Sequence, residues 1–173
     1  MIDLAPRSGL PTPIRVRRAG ADDREVLQRL WLMYRHDMSG VVGSLPCADG
    51  SFRSEWLEYA LTRSDWHAWM LTIGEHPGGL ALVRAVNEPV RVLNSFFVVS
   101  GARRFGLGFD LARVVVGEYP GRWDVAYQDA NAAAVALWPA VAGSFDAGYT
   151  VERRAVPGDS DVPHDVWVSF RTA

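Results

Sequence analysis

The pattern of apolar and polar positions divides the chain into short periodic segments of two kinds. "IRVRRA", from Ile14, alternates apolar and charged residues, as a half-buried strand does. Asp22 with Glu25 three positions on has the form of a capping box and predicts a helix start. Val26, Leu27, Leu30, Trp31 and Tyr34 then recur at helical spacing and form one apolar face, which Gly40 and Gly43 are expected to end. A loop containing Pro46 leads to a second short helix, roughly Phe52 to Leu61. Next, "HAWMLTI" and "LALVRAV" read as strands joined by the turn "GEHPGG", and "VRVLNSFFVV", Val90 to Val99, reads as a longer apolar strand.

The run Leu107 to Tyr119 carries three consecutive valines that suit a strand, but its length and the spacing of Leu107, Leu111 and Val114/Val115 predict a helix. "GRW" to "VAYQ" is another short strand. "NAAAVALWPAVA" is helical, with Pro139 expected to kink it or end it near Trp138. "YTVERRA" and "DVWVSFR" complete the pattern as two strands. Residues 1–13, rich in Pro and Gly, are expected to be a flexible, unpaired leader before a single domain over residues 14–173. The order is strand, two helices, three strands, helix, strand, helix, two strands, which makes an α/β domain with a mixed sheet.

Composition narrows the class. Of the 173 residues, 49% are hydrophobic, enough for one sizeable core. The formal charge of −2 argues against nucleic acid as a partner. No apolar run reaches the length of a membrane span, and "MIDLAPRSGLPTP" lacks a signal-peptide core. The single cysteine, Cys47, excludes an internal disulfide and any multi-cysteine metal site, so no metal is expected. These features predict a soluble, cytoplasmic protein without a membrane partner. Cys47 reads as a half-buried thiol in the loop between the first two helices.

The candidate chemistry begins at "VVSGARRFGLG", Val98 to Gly108. A strand that runs through a Gly-containing loop into a helix directs unpaired backbone N–H groups, and the positive end of the helix dipole, at whatever occupies the loop; phosphate suits such a place. Gly106 and Gly108 permit close backbone approach, and Arg103 and Arg104 add cationic donors. An ordinary strand-to-helix turn with two solvated arginines explains the stretch equally well. A second segment, Asn131-Ala-Ala-Ala134-Val-Ala-Leu137-Trp138, follows the next strand, and by itself Asn131 is well explained as a helix cap.

Together the two segments resemble the GNAT superfamily of N-acetyltransferases. Arg103, Gly106 and Gly108 match its Arg/Gln-x-x-Gly-x-Gly/Ala loop, and Asn131, Ala134 and Trp138, with Leu137 at the first aromatic place, correspond to its Asn-x-x-Ala-x-x-aromatic-aromatic helix. The element order matches as well. The resemblance implies a mixed, mostly antiparallel sheet of about seven strands flanked by about four helices. It implies acetyl-CoA as acyl donor, with its pantetheine arm along the backbone of Phe97, Val98 and Val99. Its pyrophosphate would lie on the amides of Arg104, Phe105, Gly106, Leu107, Gly108 and Phe109 beside Arg103, and Asn131 would contact the pantetheine. The activity it implies is N-acetyl transfer to a small amine, amino acid or antibiotic-like acceptor. A non-catalytic acyl-CoA-binding or sensing domain, and transfer of a longer acyl group, remain alternatives. Pairing of two copies into a homodimer is left open.

Two departures bear on mechanism. The strand before the loop, Arg91-Val-Leu-Asn94-Ser95-Phe-Phe, has no carboxylate where many members of the family carry a glutamate base, and Trp138 stands near the place of the tyrosine that protonates the departing thiolate. An indole N–H does not serve as that acid. Acid–base candidates are therefore sought in "MYRHDMS", where Tyr34, His36 and Asp37, with Ser39, follow the first apolar face; Asp37 would attract an ammonium and His36 take its proton. His36 and Asp37 act as partners if the helix ends at Tyr34, and as alternatives if it continues. Weaker clusters are Tyr127 with Asp129, and His164 with Asp165. Trp31, Trp56, Trp66 and Trp69 are expected near the acceptor side, mostly as core or rim packing.

Overall fold

The computed structural model describes residues 1–154 and 165–173. Its elements are β1 (Ile2–Leu4), β2 (Ile14–Ala19), α1 (Arg24–Val42), α2 (Glu55–Thr62), β3 (Trp66–Ile73), β4 (His76–Arg84), β5 (Val90–Val98), α3 (Leu107–Gly117), β6 (Gly121–Tyr127), α4 (Ala132–Phe145), β7 (Thr150–Arg154) and β8 (Asp165–Thr172), with 3-10 turns at Ala21–Asp23 and Ser100–Ala102. The strands form one sheet of eight in the order β1-β2-β3-β4-β5-β6-β8-β7. Every neighbouring pair is antiparallel except β5 and β6. That pair is parallel because α3 carries the chain back across the sheet between them, as a parallel connection requires.

Helices cover both faces, and each face has its own core. On one side Val16, Leu71 and Val83 of the sheet pack with Leu111 and Val115 of α3 and Trp138 and Val141 of α4. On the other, Met70, Leu80, Leu82 and Phe97 pack with Leu27, Leu30 and Trp31 of α1 and Leu57 of α2. β4 lies between the two cores, which is why Leu80 to Val83 are all fully buried and its sequence does not alternate. Burying one such leucine contributes about 1.5–3 kcal/mol.

Several elements differ from the sequence expectation. Residues 2–4 are not an unpaired leader: Ile2, Asp3 and Leu4 pair with Val16, Arg15 and Ile14, and they bring the strand count to eight. The Asp22–Glu25 box does not form. The Gly20 amide donates instead to Asp23 Oδ2 at 3.0 Å, and Arg17 grips both oxygens of Asp23 at 2.6 and 2.8 Å. α1 continues through Gly40, and Gly43, at φ +69°, ends it by donating to the Ser39 carbonyl at 2.9 Å. α2 begins three residues later than expected, at Glu55. α4 passes through Pro139 to Phe145, because Trp138, Val141 and Ala142 on its buried face hold it against the sheet. Val135, whose carbonyl loses its helical donor there, is an exposed residue. Cys47 is exposed rather than half-buried.

One polar cluster lies within the packing at the C-terminal end of α3. The Tyr119 hydroxyl accepts from Trp69 Nε1 at 3.1 Å and lies 2.5 Å from His67 Nδ1. Burial, and to a smaller degree the charge of Arg18, push the His67 pKa down and favour the neutral ring; in the tautomer protonated at Nε2, Nδ1 accepts from the hydroxyl. Since the unfolded chain binds the proton more tightly, stability should fall as pH drops from the ordinary histidine value near ~6.5 toward the lower folded one. We expect the advantage of the wild type over His67→Gln to be largest above that pH and to shrink below it. Thermal unfolding between pH 8 and 5 checks this; a constant difference between the two proteins would show that His67 does not titrate on unfolding.

Candidate active site

The site begins where the sheet opens. β5 and β6 pair only over Val90–Leu93 against Arg122–Val125. On the other edge of β5 the register with β4 shifts at the same point: Val83 opposes Leu93 while Leu82 opposes Ser95, so Asn94 is an extra residue. A bulge of this kind bends its strand and increases its twist. Beyond Asn94, β5 stays on β4 as far as Val98, while Ala126 and Tyr127 of β6 follow β8. The two central strands thus diverge, and the backbone of residues 94–98 is left without a strand on its β6 side.

The wide end of this gap meets the phosphate-type loop. After the Ser100–Ala102 turn, Arg104 and Gly106 adopt left-handed backbone at φ +68° and +80°. Glycine is required at 106, since a side chain there would strain the turn. α3 starts at Leu107, and among the described residues the six amides of 104–109 have no hydrogen-bond acceptor. They converge at a helix N-terminus, an arrangement that binds phosphate oxygens. Leu107 and Leu111, both fully buried, anchor the helix behind them.

The two arginines separate. Arg104 stays exposed beside the amides. Arg103 turns away from them: its Nε donates to the Val98 carbonyl at 2.8 Å, its guanidinium lies 5.5 Å from the Phe97 ring centre, and it forms an ion pair with Asp37 of α1. A further cation at the loop is Arg7, which left no signal in the sequence. Its Nε donates to the Phe105 carbonyl at 2.9 Å and its terminal nitrogen pairs with Asp110 in the first turn of α3. Asp110 would otherwise put an unopposed negative charge beside an anion site.

Asn131 caps α4, its Oδ1 accepting from the Ala134 amide at 3.2 Å, while its Nδ2 faces Met38 Sδ of α1 at 4.0 Å. Trp138 is buried edge-on against Phe96, with ring centres 5.0 Å apart.

The trio Tyr34, His36 and Asp37 does not stay together. Because α1 continues to Val42, Tyr34 points into the core, 5.1 Å from the Trp31 ring centre and 6.2 Å from that of Phe97, and burial pushes its hydroxyl pKa up. His36 and Asp37 instead border a cavity of about 670 Å³. This cavity lies between the second half of α1, the 44–52 segment and the end of β5 at Phe97, Val99 and Ser100. His36 Nδ1 is 3.9 Å from Asp37 Oδ1, and the imidazole is 82% exposed. Ser39 is on the wall too, although its hydroxyl donates to the His36 carbonyl.

The weaker clusters do not gather at the cavity. Tyr127 is buried in the α3–α4 core, Asp129 pairs with Arg153, and Asp165 accepts from Gln128. His164 lies outside the described residues. Trp31, Trp66 and Trp69 are core residues, and Trp56 is exposed. Among the described residues no three His, Cys, Asp or Glu side chains gather as metal ligands, and no helix is long and apolar enough to cross a membrane.

No protein-family model and no curated protein sequence matches the chain. Its architecture, however, is found among solved acetyltransferases. An acetyltransferase from Thermus thermophilus superposes with a TM-score of 0.65 at 18% identity, over 94% of this chain and 99% of the other. A GNAT-family acetyltransferase from Staphylococcus aureus does so with a TM-score of 0.65 at 13% identity, over 92% and 99% of the two chains. Spermidine N-acetyltransferase from Vibrio cholerae, solved in complex with CoA and spermine, gives a TM-score of 0.65 at 11% identity, over 92% and 95%. The chain therefore has the GNAT fold, an open and mostly antiparallel sheet of eight strands with four helices.

If Arg7 acts by cancelling Asp110, Arg7→Ala should weaken CoA binding about tenfold, the scale of one partly buried charge contact. Adding Asp110→Asn should restore most of it. Calorimetric titration of the three proteins with CoA distinguishes this from simple loss of support for the loop, in which case the second substitution would restore nothing.

Proposed function

We propose that the chain is an acyl-CoA-dependent N-acyltransferase that moves the acetyl group of acetyl-CoA to the amine of a small molecule. The observation that carries this reading is the gap between β5 and β6, ending at six amides at the α3 N-terminus that are unpaired among the described residues. The pyrophosphate lies on the amides of 104–109, with Arg104 and the Arg7–Asp110 pair at its edge. The pantetheine, whose amides need partners of its own, extends an open strand edge by running along Phe97, Val98 and Val99. Asn131, its Oδ1 committed to the helix, still has Nδ2 as a donor toward that arm. The GNAT fold, and the CoA in the Vibrio cholerae neighbour, support a CoA ester as the donor.

The amine enters through the cavity beside α1, whose wall includes Phe97 of the strand that holds the thioester arm and Val99 just after it. A neutral amine attacks the thioester carbonyl carbon; the C–N bond forms, the C–S bond breaks, and CoA leaves as thiolate. Backbone N–H groups on the free edge of β5 are placed to stabilise the oxygen as it becomes negative. No carboxylate occurs on β5, Tyr34 is buried with its proton held, and Trp138 has no acid to give. His36 and water therefore remove the amine proton, and most of the acceleration comes from holding the reactants together.

The sparse acid–base equipment also favours a second reading, a domain that binds acyl-CoA without turning it over. Thiol release separates the two. In the presence of acetyl-CoA and a panel of primary amines, the transferase reading predicts amine-dependent release of free CoA thiol, reduced by His36→Gln chiefly in kcat. Tight acetyl-CoA binding with no thiol released for any amine would favour the sensing domain.

A further inference from the structure

The wall of the α1 cavity describes its ligand in more detail. Leu32, Met33, Leu45, Pro46, Phe52, Phe97 and Val99 form its apolar lining. Three of these are unusually open for apolar side chains: Leu45 is 87% exposed, Leu32 46% and Met33 42%. Apolar side chains gathered around a concavity and left facing water are what a partner with an apolar body would cover. At about 670 Å³ the space suits a small molecule.

The charge on the wall is equally specific. Asp37 is the one carboxylate lining the cavity among the described residues, and Arg103 neutralises it. A ligand with several ammonium groups would have to desolvate each of them against a largely apolar wall, with no unpaired carboxylate among the described lining residues to receive them. His36 can take one proton. Ser44, also among the lining residues, has its Oγ buried without a hydrogen-bond partner among the described residues.

We infer that the acceptor is a monoamine on a mostly apolar body, an alkylamine or arylalkylamine with at most one further polar group, and not a polyamine. The amine end lies toward His36 and the end of β5. The apolar body lies against Leu32, Met33, Leu45 and Phe52. This rests on the acyl-transfer reading for the word acceptor, but the ligand class stands on the cavity alone.

Binding and turnover can be read separately. Met33 reports the cavity directly, so the full chain labelled with 13C at its methionine methyl groups would be titrated with ethylamine, butylamine, hexylamine, 2-phenylethylamine and spermidine. Met33→Leu assigns the resonance. The expected result is a Met33 shift whose affinity rises about threefold per added methylene from ethylamine to hexylamine. Spermidine should bind at least roughly tenfold more weakly than hexylamine. Leu45→Asp, at an exposed position that leaves folding intact, should cost hexylamine roughly tenfold and narrow its margin over spermidine. A flat series, spermidine binding more tightly than hexylamine, or a Leu45→Asp protein identical to wild type would overturn the inference. Thiol release from acetyl-CoA is then measured on the same samples. A Met33 series as expected without any thiol release would sustain the ligand class and overturn acyl transfer.

Discussion

The parting of β5 from β6 at Asn94 is the constraint on which the rest of this structure depends. A parallel pair inside a sheet ordinarily continues, because unpaired backbone groups there are costly. Here β5 has a residue more than β4 can match, and the bulge turns it out of line with β6 after only four paired positions. The open wedge persists because both strands keep their outer partners, β4 and β8, and because two cores hold the sheet from either side. Without the bulge the gap would close. The amides of 104–109 would then face a continuous sheet edge rather than a slot leading inward.

The two ends of the site are physically connected. Arg103 leaves the loop, crosses Phe97 and pairs with Asp37 on α1, while its Nε holds the Val98 carbonyl on the strand edge. The guanidinium thus joins the place proposed for the donor's arm to the cavity proposed for the acceptor. It also removes the free negative charge that the sequence reading had assigned to Asp37, and this changes the kind of acceptor the cavity suits. Arg7 acts similarly at the other end, where it links the N-terminal segment to the first turn of α3.

Much of the fold was legible because periodicity reports packing. The stripe Val26, Leu27, Leu30, Trp31, Tyr34 predicted the buried face of α1, and the order of elements from Ile14 onward was readable from alternating and helical patterns. That same stripe already placed Tyr34 inward, and a helix continuing past it carries His36 and Asp37 to another face. The error was to read Gly40 as a terminator, when a single glycine costs a helix only about 1 kcal/mol and Gly43 alone has the left-handed geometry of a C-cap. β1 was missed because three residues beside several prolines and glycines carry no periodicity, and their pairing is decided by a free edge on β2. Arg7 left no signal at all, since its partners are about a hundred positions away. Pro139 misled because packing of Trp138 and Val141 outweighs its local penalty.

The central claim is that the unpaired amides at the β5–α3 junction hold the pyrophosphate of a CoA ester. The most direct measurement is an NMR titration of the 15N-labelled chain with CoA, following backbone amide resonances. The account predicts the largest downfield proton shifts for residues 104–109, as each amide gains a charged acceptor, with smaller changes along Phe97 to Val99 and at the Asn131 side-chain amide. Saturable CoA binding that leaves 104–109 unmoved and shifts another surface would contradict it.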